Sequence, residues 1–209
     1  MTPAPARRTD ARPADARRTD ARRNRERLLA AAQEVFAETG AEASLNEIAR
    51  RAGVGPGTLY RHFPTRAALL AAVLRERVER LCARAGELVT SRPADRALVE
   101  WLGAFLTHAR THQGLAGALL LEASDELGAD CHRLIEDAAA EVLTHAQREG
   151  TARPDLTPGD LLQLALGVAL TTTGAEPEDD ARAERLLALV LDAVLTPRAH
   201  HRPDGNSGA

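Results

Sequence analysis

The chain has 209 residues, a formal net charge of -3 at pH 7, and a composition that is 44% hydrophobic but only 2% aromatic. Sheets draw on β-branched and aromatic residues, so this Ala-, Leu- and Arg-rich composition argues against them and predicts an all-α fold. The length suits a small domain joined to a larger one.

The small net charge hides an uneven distribution along the chain. Residues 1–77 carry 15 Arg against 9 acidic residues, a net charge of +6. Residues 78–209 carry 12 Arg against 21 acidic residues, a net charge of -9. The basic half is therefore the part expected to face phosphates if the protein binds nucleic acid.

The cysteines and the first residues indicate where the protein works. Cys82 and Cys131 are far apart and lack the CxxC spacing of metal sites, so we expect reduced thiols in the cytoplasm and no disulfide. The charged first segment has no apolar signal region, and no stretch approaches the ~18 apolar residues that span a bilayer. A soluble, cytoplasmic protein without a membrane partner is predicted.

The N-terminal segment is polar and partly repetitive. Residues 1–20 contain Pro and are predicted to form a disordered basic arm, in which the sequence Arg-Arg-Thr-Asp-Ala-Arg at 7–12 recurs at 17–22. This arm could follow the DNA backbone or could simply aid solubility. An apolar face then begins, which predicts a helix from about Ala21 to Thr39 that ends at Gly40.

Two short helices joined by a glycine turn are predicted next. A capping box over Ser44–Glu47, with Ser44 and Glu47 each accepting the other's amide, starts the first helix. Gly53-Val54-Gly55 ends it, and Pro56 suits the first position of the second helix. Phe63-Pro64 ends that helix, because the residue before Pro avoids the helical region. This pattern is typical of a helix-turn-helix, and we assign 21–66 to it.

The remaining pattern predicts a larger helical domain at 67–196 and a disordered tail at 197–209. Thr65 would cap its first helix, and glycines at 114, 128 and 150 would separate later ones. We expect about nine helices in the whole chain. Those after Thr65 run to Val89, then over Ala94–Thr111, Leu115–Glu126, Ala129–Glu149, Pro158–Thr173 and Ala181–Leu195.

Two motifs carry a family resemblance. The segments Ile48-Ala49-Arg50-Arg51-Ala52-Gly53-Val54 and Thr58-Leu59-Tyr60-Arg61-His62-Phe63 resemble the DNA-binding region of the TetR family of bacterial repressors. The resemblance covers residues 27–81, and the later helices fit the family in pattern only. It implies a three-helix helix-turn-helix domain followed by a larger ligand-binding and dimerisation domain.

The resemblance also implies which side chains meet DNA. Thr58, Tyr60 and His62 would contact phosphates or base edges, and Arg66 would clamp a phosphate. The full candidate set is Ser44, Asn46, Arg50, Arg51, Pro56, Thr58, Tyr60, His62 and Arg66. Gly55 and Gly57 replace longer polar residues of many relatives, so Pro56 or DNA shape would supply part of the specificity. Taken singly, Tyr60 could instead cap the small core.

A small-molecule pocket in the larger domain is implied by the same resemblance. Trp101, Phe105 and His108 lie at i, i+4 and i+7 on one helix face, which suits either a cavity wall with a polar handle or ordinary core packing. Further candidates for the wall are Leu119, Leu120 and Ile135. The effector itself is unknown, and no cofactor is expected.

Other functions are less favoured by the residues. His108 and His112 have a metal-type spacing, and Cys131-His132 could join them, but no further ligands cluster nearby. We find no nucleotide-binding or nucleophile motif, so an enzyme is not predicted. A helical adaptor that binds protein is the remaining alternative, although the basic helix-turn-helix favours DNA.

The last two helices are apolar nearly all round, which predicts a two-fold partner that covers them. The candidate dimer residues are Leu162, Leu166, Leu170, Leu187, Val190, Leu191 and Val194. A homodimer would match palindromic double-stranded DNA. We therefore expect a transcription repressor that leaves its operator when a small molecule binds.

Overall fold

The fold is all-α, as predicted, in a computed structural model that describes residues 13–40, 43–120, 125–172 and 177–196. Eight helices and one isolated β-bridge lie within these ranges. The helices are α1 (Pro13–Thr39), α2 (Leu45–Arg51), α3 (Pro56–His62), α4 (Arg66–Ser91), α5 (Ala94–Leu120), α6 (Asp125–Arg148), α7 (Pro158–Thr171) and α8 (Pro177–Val194). None of the described helices is both long and apolar enough to cross a bilayer.

The chain divides into two compact units between Val73 and Leu74, within α4, rather than at the predicted boundary after residue 66. The first unit consists of α1, α2, α3 and the first turns of α4. Helix α2 contacts both α1 and α3. The buried apolar side chains of this first unit include Leu28, Val35, Phe36, Ile48, Leu59, Phe63, Leu69 and Val73.

Helix α1 begins at Pro13 rather than at the predicted Ala21. The expected disorder is therefore wrong for residues 13–20. Pro suits the first turn of a helix, and the Ala and Arg residues that follow are good helix formers, so an amphipathic face is not needed here. Residues 1–12 and the predicted disordered tail at 197–209 lie outside the described residues.

The second unit is built around α5, which contacts α6, α7 and α8. Trp101 lies at its centre with no solvent exposure, and its indole Nε1 donates to the carbonyl of Leu81 on α4 at 3.1 Å. The ring stacks on Phe105 with centroids 5.8 Å apart. Apolar side chains from all five helices of this unit surround the stacked pair of Trp101 and Phe105 and complete its core.

The predicted break at Gly114 is absent, since α5 runs through it to Leu120. Gly128 likewise lies inside α6. A helical Gly costs only about 1 kcal/mol relative to Ala, and tertiary packing outweighs a cost of that size. The two helices expected at Ala94–Thr111 and Leu115–Glu126 are therefore not separated at Gly114, and the described ranges hold eight helices, close to the nine expected.

The loop after α6 is fixed by contacts with the end of α8. Gly150 has a φ of 67°, which confirms the predicted helix stop. Thr196 then donates its amide to Thr151 O at 3.1 Å, and Arg153 donates its amide to Val194 O at 3.0 Å. These bonds close an isolated antiparallel bridge between Ala152 and Leu195, the one β-bridge within the described ranges.

A capping box begins α7, as the Thr-Pro-Gly-Asp sequence indicates. The Asp160 amide donates to Thr157 Oγ1 at 3.2 Å, and the Thr157 amide donates to Asp160 Oδ2 at 3.0 Å. The Thr157 hydroxyl also donates to Asp160 Oδ2 at 2.7 Å, and this bond, followed by the bond from the Thr157 amide, lowers the pKa of the Asp160 carboxyl.

Thr157→Ala should cost about 1 kcal/mol of stability, because it leaves the Asp160 amide without its cap. Urea denaturation would measure this loss. Thr144→Ala, at an exposed position within α6, is the control and should change stability by less than about half as much. Equal losses in the two variants would contradict the role of the cap.

Candidate nucleic-acid interface

Local signals in the chain position α2 and α3 as two short helices joined by a tight turn. Gly53 has a φ of 66°, a conformation that favours glycine, and the Val54 amide donates to Ala49 O at 3.0 Å. Pro56 occupies the first turn of α3, and Phe63 ends that helix in an extended conformation before Pro64. The predicted helix-turn-helix geometry is confirmed.

The start of α2 differs in one respect from the predicted capping box. Ser44 Oγ accepts the Glu47 amide at 3.4 Å, as expected. The Glu47 carboxylate, however, pairs with Arg50 and Arg51 instead of the Ser44 amide. Two guanidinium groups offer charge-assisted hydrogen bonds, which are stronger than one bond from a neutral amide. The reciprocal half of the predicted box is therefore wrong.

Helix α3 divides its side chains between the core and the solvent. Leu59 and Phe63 are buried, whereas Tyr60 is 49% exposed. The guanidinium of Arg25 on α1 lies 5.5 Å from the centre of the Phe63 ring, a cation–π contact that ties α1 to the end of α3. Buried Leu59 and Phe63 thus anchor one side of α3 to the core, and Tyr60 faces the solvent on the other side.

All nine predicted DNA-binding residues lie on α2, α3 or their flanks. Six of them are exposed, and Thr58, His62 and Arg66 are partly buried. A short, solvent-facing helix of this kind can enter the major groove, which is ~12 Å wide. The two-helix frame, with its polar outer surface, defines a helix-turn-helix DNA-binding domain.

Arg51 joins α2 to α1. Its Nη1 and Nη2 donate to the two carboxylate oxygens of Glu38 at 2.7 and 2.6 Å, and its Nε donates to Glu47 Oε1 at 2.9 Å. Arg50 donates twice to the same Glu47, and its side chain remains 73% exposed. Hydrogen bonds from Arg50 and then from Arg51 lower the pKa of Glu47 to about 2.

The two neighbouring arginines should respond differently to substitution. Arg50→Gln is expected to leave the melting temperature unchanged. If Arg50 neutralises one phosphate, its loss should reduce the slope of log affinity against log salt concentration by about one. Arg51→Gln is expected to lower the melting temperature, because it removes the link between α1 and α2. Salt-dependent anisotropy and thermal unfolding of both variants separate the two roles, and identical behaviour would contradict them.

Arg66 has a structural contact in addition to its predicted role at a phosphate. Its Nη1 donates to the carbonyl of Ala43 at 2.6 Å, just before α2. The Thr65 hydroxyl accepts the Ala68 amide at 3.1 Å, which confirms the predicted cap of α4. Arg66 therefore helps to place the N-terminus of α2, whatever it contacts on DNA.

Further exposed arginines lie outside the predicted set of nine, although the sequence had already allowed the basic arm a place along the DNA backbone. Arg61 on α3 is exposed, with its Nε donating to Gly57 O at 3.1 Å. Arg17, Arg18 and Arg22 are exposed on the helical extension of α1. A signal was present in each case, namely Arg in the second helix of the motif and the Arg-rich repeat that ends at Arg22.

The predicted effector pocket is not one cavity. Trp101 is part of the core, whereas Phe105 and Ile135 line a cavity of about 300 Å³ between α5, α6 and α7. His108 lines a separate groove of about 420 Å³ on α4 and α5. The side chains of Leu119 and Leu120 lie outside the described residues. Among the described side chains of the predicted set, only Phe105 and Ile135 line the same cavity, and Trp101 stacks on Phe105 from within the core.

The predicted dimer residues also separate into three groups. Leu162, Leu187 and Val194 are buried within the chain's own core. Leu166 and Leu170 are 43% and 58% exposed. Val190 and Leu191 are partly buried against the core. Exposed leucines that the prediction left out are Leu164 and Leu189, at 44% and 60%.

The histidines considered as metal ligands do not assemble a site in the described part of the chain. No group of three or more His, Cys, Asp or Glu side chains there is arranged to hold a metal ion. Cys82 and Cys131 are free thiols, and burial raises the pKa of Cys82 to about 11. The Cys82 Sγ contacts the Leu134 carbonyl at 3.2 Å.

Comparison with known proteins identifies the family. Residues 28–73 match the family described as bacterial regulatory proteins, tetR family, and residues 93–194 match the C-terminal domain of SbtR-like transcriptional regulators. The transcriptional regulator UidR of Escherichia coli K12 is 28% identical over 182 residues, covering 82% of this chain and 93% of UidR. The repressor AcnR of Corynebacterium diphtheriae is 30% identical over 183 residues, covering 81% of this chain and 90% of AcnR.

Solved structures agree with this assignment. A TetR transcriptional regulator from Streptomyces coelicolor has a TM-score of 0.73 and 40% identity, covering 84% of this chain and 99% of its own. A TetR regulatory protein from Mycobacterium vanbaalenii has a TM-score of 0.70 and 32% identity, covering 86% and 99%. The chain belongs to the TetR family of transcriptional regulators and carries its helix-turn-helix DNA-binding domain.

Proposed function

We propose that this regulator is a homodimeric repressor that binds a palindromic operator and leaves it when a small molecule binds the second unit. The observation that carries the proposal is the outward polar face of α3, with Tyr60 half-exposed above buried Leu59 and Phe63. AcnR, a relative over most of the chain, is named a repressor, which supports the same direction of regulation.

The exposed leucines of α7 and α8 support a dimer. Leu164, Leu166, Leu170 and Leu189 are each more than two-fifths exposed on helices that contact one another. Exposing several leucine side chains to water has an unfavourable free energy, and a second copy of the same surface would cover them. Two copies related by a two-fold axis would read two half-sites about one turn of DNA apart.

Leu170→Glu combined with Leu189→Glu should convert the dimer to a monomer, because four carboxylates would face one another across the two-fold axis. Sedimentation velocity would show the change in mass. Thr144→Glu, at an exposed position on α6, is the matched control and should leave the dimer intact. A double variant that still sediments as a dimer would place the interface elsewhere.

Release by a ligand requires that the ligand distinguish two states of the dimer. Complete release needs a differential affinity of roughly 5 kcal/mol, which one well-filled pocket can supply. Helix α4 begins in the DNA-binding unit and continues into the second unit, so a change in its position is a simple way to couple them.

A mobility-shift experiment tests the proposal on DNA from the protein's own upstream region, at several salt concentrations. Tight binding that weakens with salt and with Arg66→Ala is the expected result. Arg133→Ala, an exposed arginine on α6, is the control and should bind as the wild type does. Binding no tighter than to unrelated DNA would contradict the proposal and favour a helical adaptor that binds protein.

A further inference from the structure

The first turns of α1 carry arginines along one side of the helix. Positions i, i+4 and i+7 share a helix face, so Arg18, Arg22 and Arg25 lie on one side of α1, with Arg17 at its border. We call these four residues the arginine stripe. Further along α1 the same side consists of buried apolar residues, namely Leu29, Ala32 and Phe36. The side of α1 that packs into the core is therefore basic before the core begins.

The arginine stripe is exposed and meets few acidic groups. All four of its side chains are exposed, and no ion pair within the described residues involves Arg17 or Arg18. Arg22 Nε lies 3.6 Å from Glu26 Oε1, but these side chains are 75% and 64% exposed. Such a surface pair contributes little and is screened by salt, so a polyanion can compete for Arg22. Asp20, two residues from Arg18, lies on the opposite side of the helix.

Two contacts place the C-terminal end of the stripe beside the helix-turn-helix. The guanidinium of Arg25 lies 5.5 Å from the centre of the Phe63 ring, directly after α3. Arg27 Nη1 lies 3.7 Å from the position that a β-carbon on Gly53 would take, in the turn between α2 and α3. Helix α1 thus meets both the turn and the end of the motif, and the stripe continues outward from there.

The dimensions of the stripe suit a DNA backbone. Arg18 and Arg25 are seven residues apart, a rise of about 10 Å along the helix. One DNA strand has a phosphate every ~3.4 Å of its axis, so this length corresponds to about three phosphates. Guanidinium groups bind phosphate through paired hydrogen bonds and need no particular base for this contact.

We propose that the arginine stripe binds the phosphate backbone next to the DNA that α3 enters, as a second DNA contact of the chain. The stripe does so as part of a helix, held in place by the contact of Arg25 with Phe63, rather than as a flexible arm. The inference requires only that the helix-turn-helix binds DNA. It does not depend on a dimer, on repression or on a small-molecule effector.

Arg18→Gln and Arg23→Gln compare the stripe with the other side of the same helix, since both arginines are exposed. Fluorescence anisotropy of the full chain is measured over a series of salt concentrations, on upstream DNA and on an unrelated duplex of equal length. Arg18→Gln should lower the slope of log affinity against log salt by about 0.9 per bound chain, or roughly eightfold in affinity at 0.1 M salt. Both duplexes should be affected by a similar factor. Arg23→Gln should bind as the wild type does.

Ala21→Pro tests the helical placement of the stripe without changing its charge. Proline inside a helix removes a hydrogen bond and clashes with the preceding turn, whereas it suits the first turn of the helix that remains. The buried part of α1 begins at Leu28, so the unit should still fold, which its melting temperature would verify. Ala21→Pro should weaken DNA binding nearly as much as Arg18→Gln, and Ala21→Gln is the control that keeps the helix.

The stripe would be rejected as a DNA contact if the salt slope of Arg18→Gln equalled that of the wild type. Equal losses in Arg18→Gln and Arg23→Gln would also overturn it, because they would reflect overall charge rather than one side of the helix. Normal binding by Ala21→Pro would overturn the helical placement. If the wild type does not prefer upstream DNA, the proposed repressor function fails, and the slopes on the unrelated duplex still decide the role of the stripe.

Discussion

Tyr60→Ala is expected to weaken operator binding by about ten- to a hundredfold while leaving the unfolding temperature nearly unchanged. The side chain is 49% exposed on α3, so its removal takes little buried area from the core. A side chain that contacts a base or a phosphate typically contributes about 1–3 kcal/mol, which corresponds to this range of affinity. The proposed dimer would carry the substitution at both half-sites, so the larger value is expected.

Tyr60→Phe separates the hydroxyl from the ring. If the hydroxyl donates to a phosphate, Tyr60→Phe should weaken binding nearly as much as Tyr60→Ala. Fluorescence anisotropy on labelled operator DNA, with thermal unfolding in parallel, measures both effects. A normal affinity in Tyr60→Ala would mean that α3 does not present this side chain to DNA, and a large loss of stability would mean that Tyr60 belongs to the core.

Trp101→Ala should destabilise the second unit by about 3–5 kcal/mol, the largest effect that we expect from one substitution on stability. It removes a fully buried ring, its stacking on Phe105, and the hydrogen bond to Leu81 O. Removal of a large aromatic leaves a cavity that the neighbouring helices can fill only in part. Urea denaturation followed by circular dichroism would report the loss.

Trp101→Phe is the matched control, because it keeps an aromatic ring beside Phe105 and removes the indole N–H. Its loss of stability should be clearly smaller than that of Trp101→Ala. If Trp101→Ala were as stable as the wild type but bound ligands differently, Trp101 would line a ligand pocket. That was the alternative to core packing in the sequence analysis.

The helix-turn-helix could be predicted closely because its signals are local. Ser44 caps α2, Gly53 supplies the left-handed turn, and Pro56 and Pro64 limit α3, each through its own backbone chemistry. The weaker signals for helix boundaries were misleading. Gly114 lies within α5 because one helical glycine costs too little to end a helix, and α1 begins at Pro13 without an apolar stripe to mark it.

The partners of the site's side chains could not be predicted from sequence. Arg51 reaches Glu38 and Arg66 reaches Ala43 across the folded unit, and nothing in the local pattern indicates these pairs. The pocket shows the same limit. Trp101, Phe105 and His108 share one helix face, yet neighbouring helices close over that face and place the side chains in a core, a cavity and a groove.

Periodicity could not separate the chain's own core from a surface that a partner would cover. Helices α7 and α8 are apolar on more than one side, and both sides satisfy the same pattern. The fold buries Leu162 and Leu187 and leaves Leu170 and Leu189 exposed. Which side faces the core depends on the packing of α7 against α5, a contact between residues distant in sequence.

Selection of binding sites from a pool of random DNA duplexes, with the purified full chain, tests the central claim most directly. A homodimeric helix-turn-helix regulator should enrich an inverted repeat whose half-sites lie about one helical turn apart, and scrambling one half-site should weaken binding strongly. Enrichment of no sequence above the starting pool, or of a single half-site bound equally well without its repeat, would contradict a homodimeric, DNA-reading regulator.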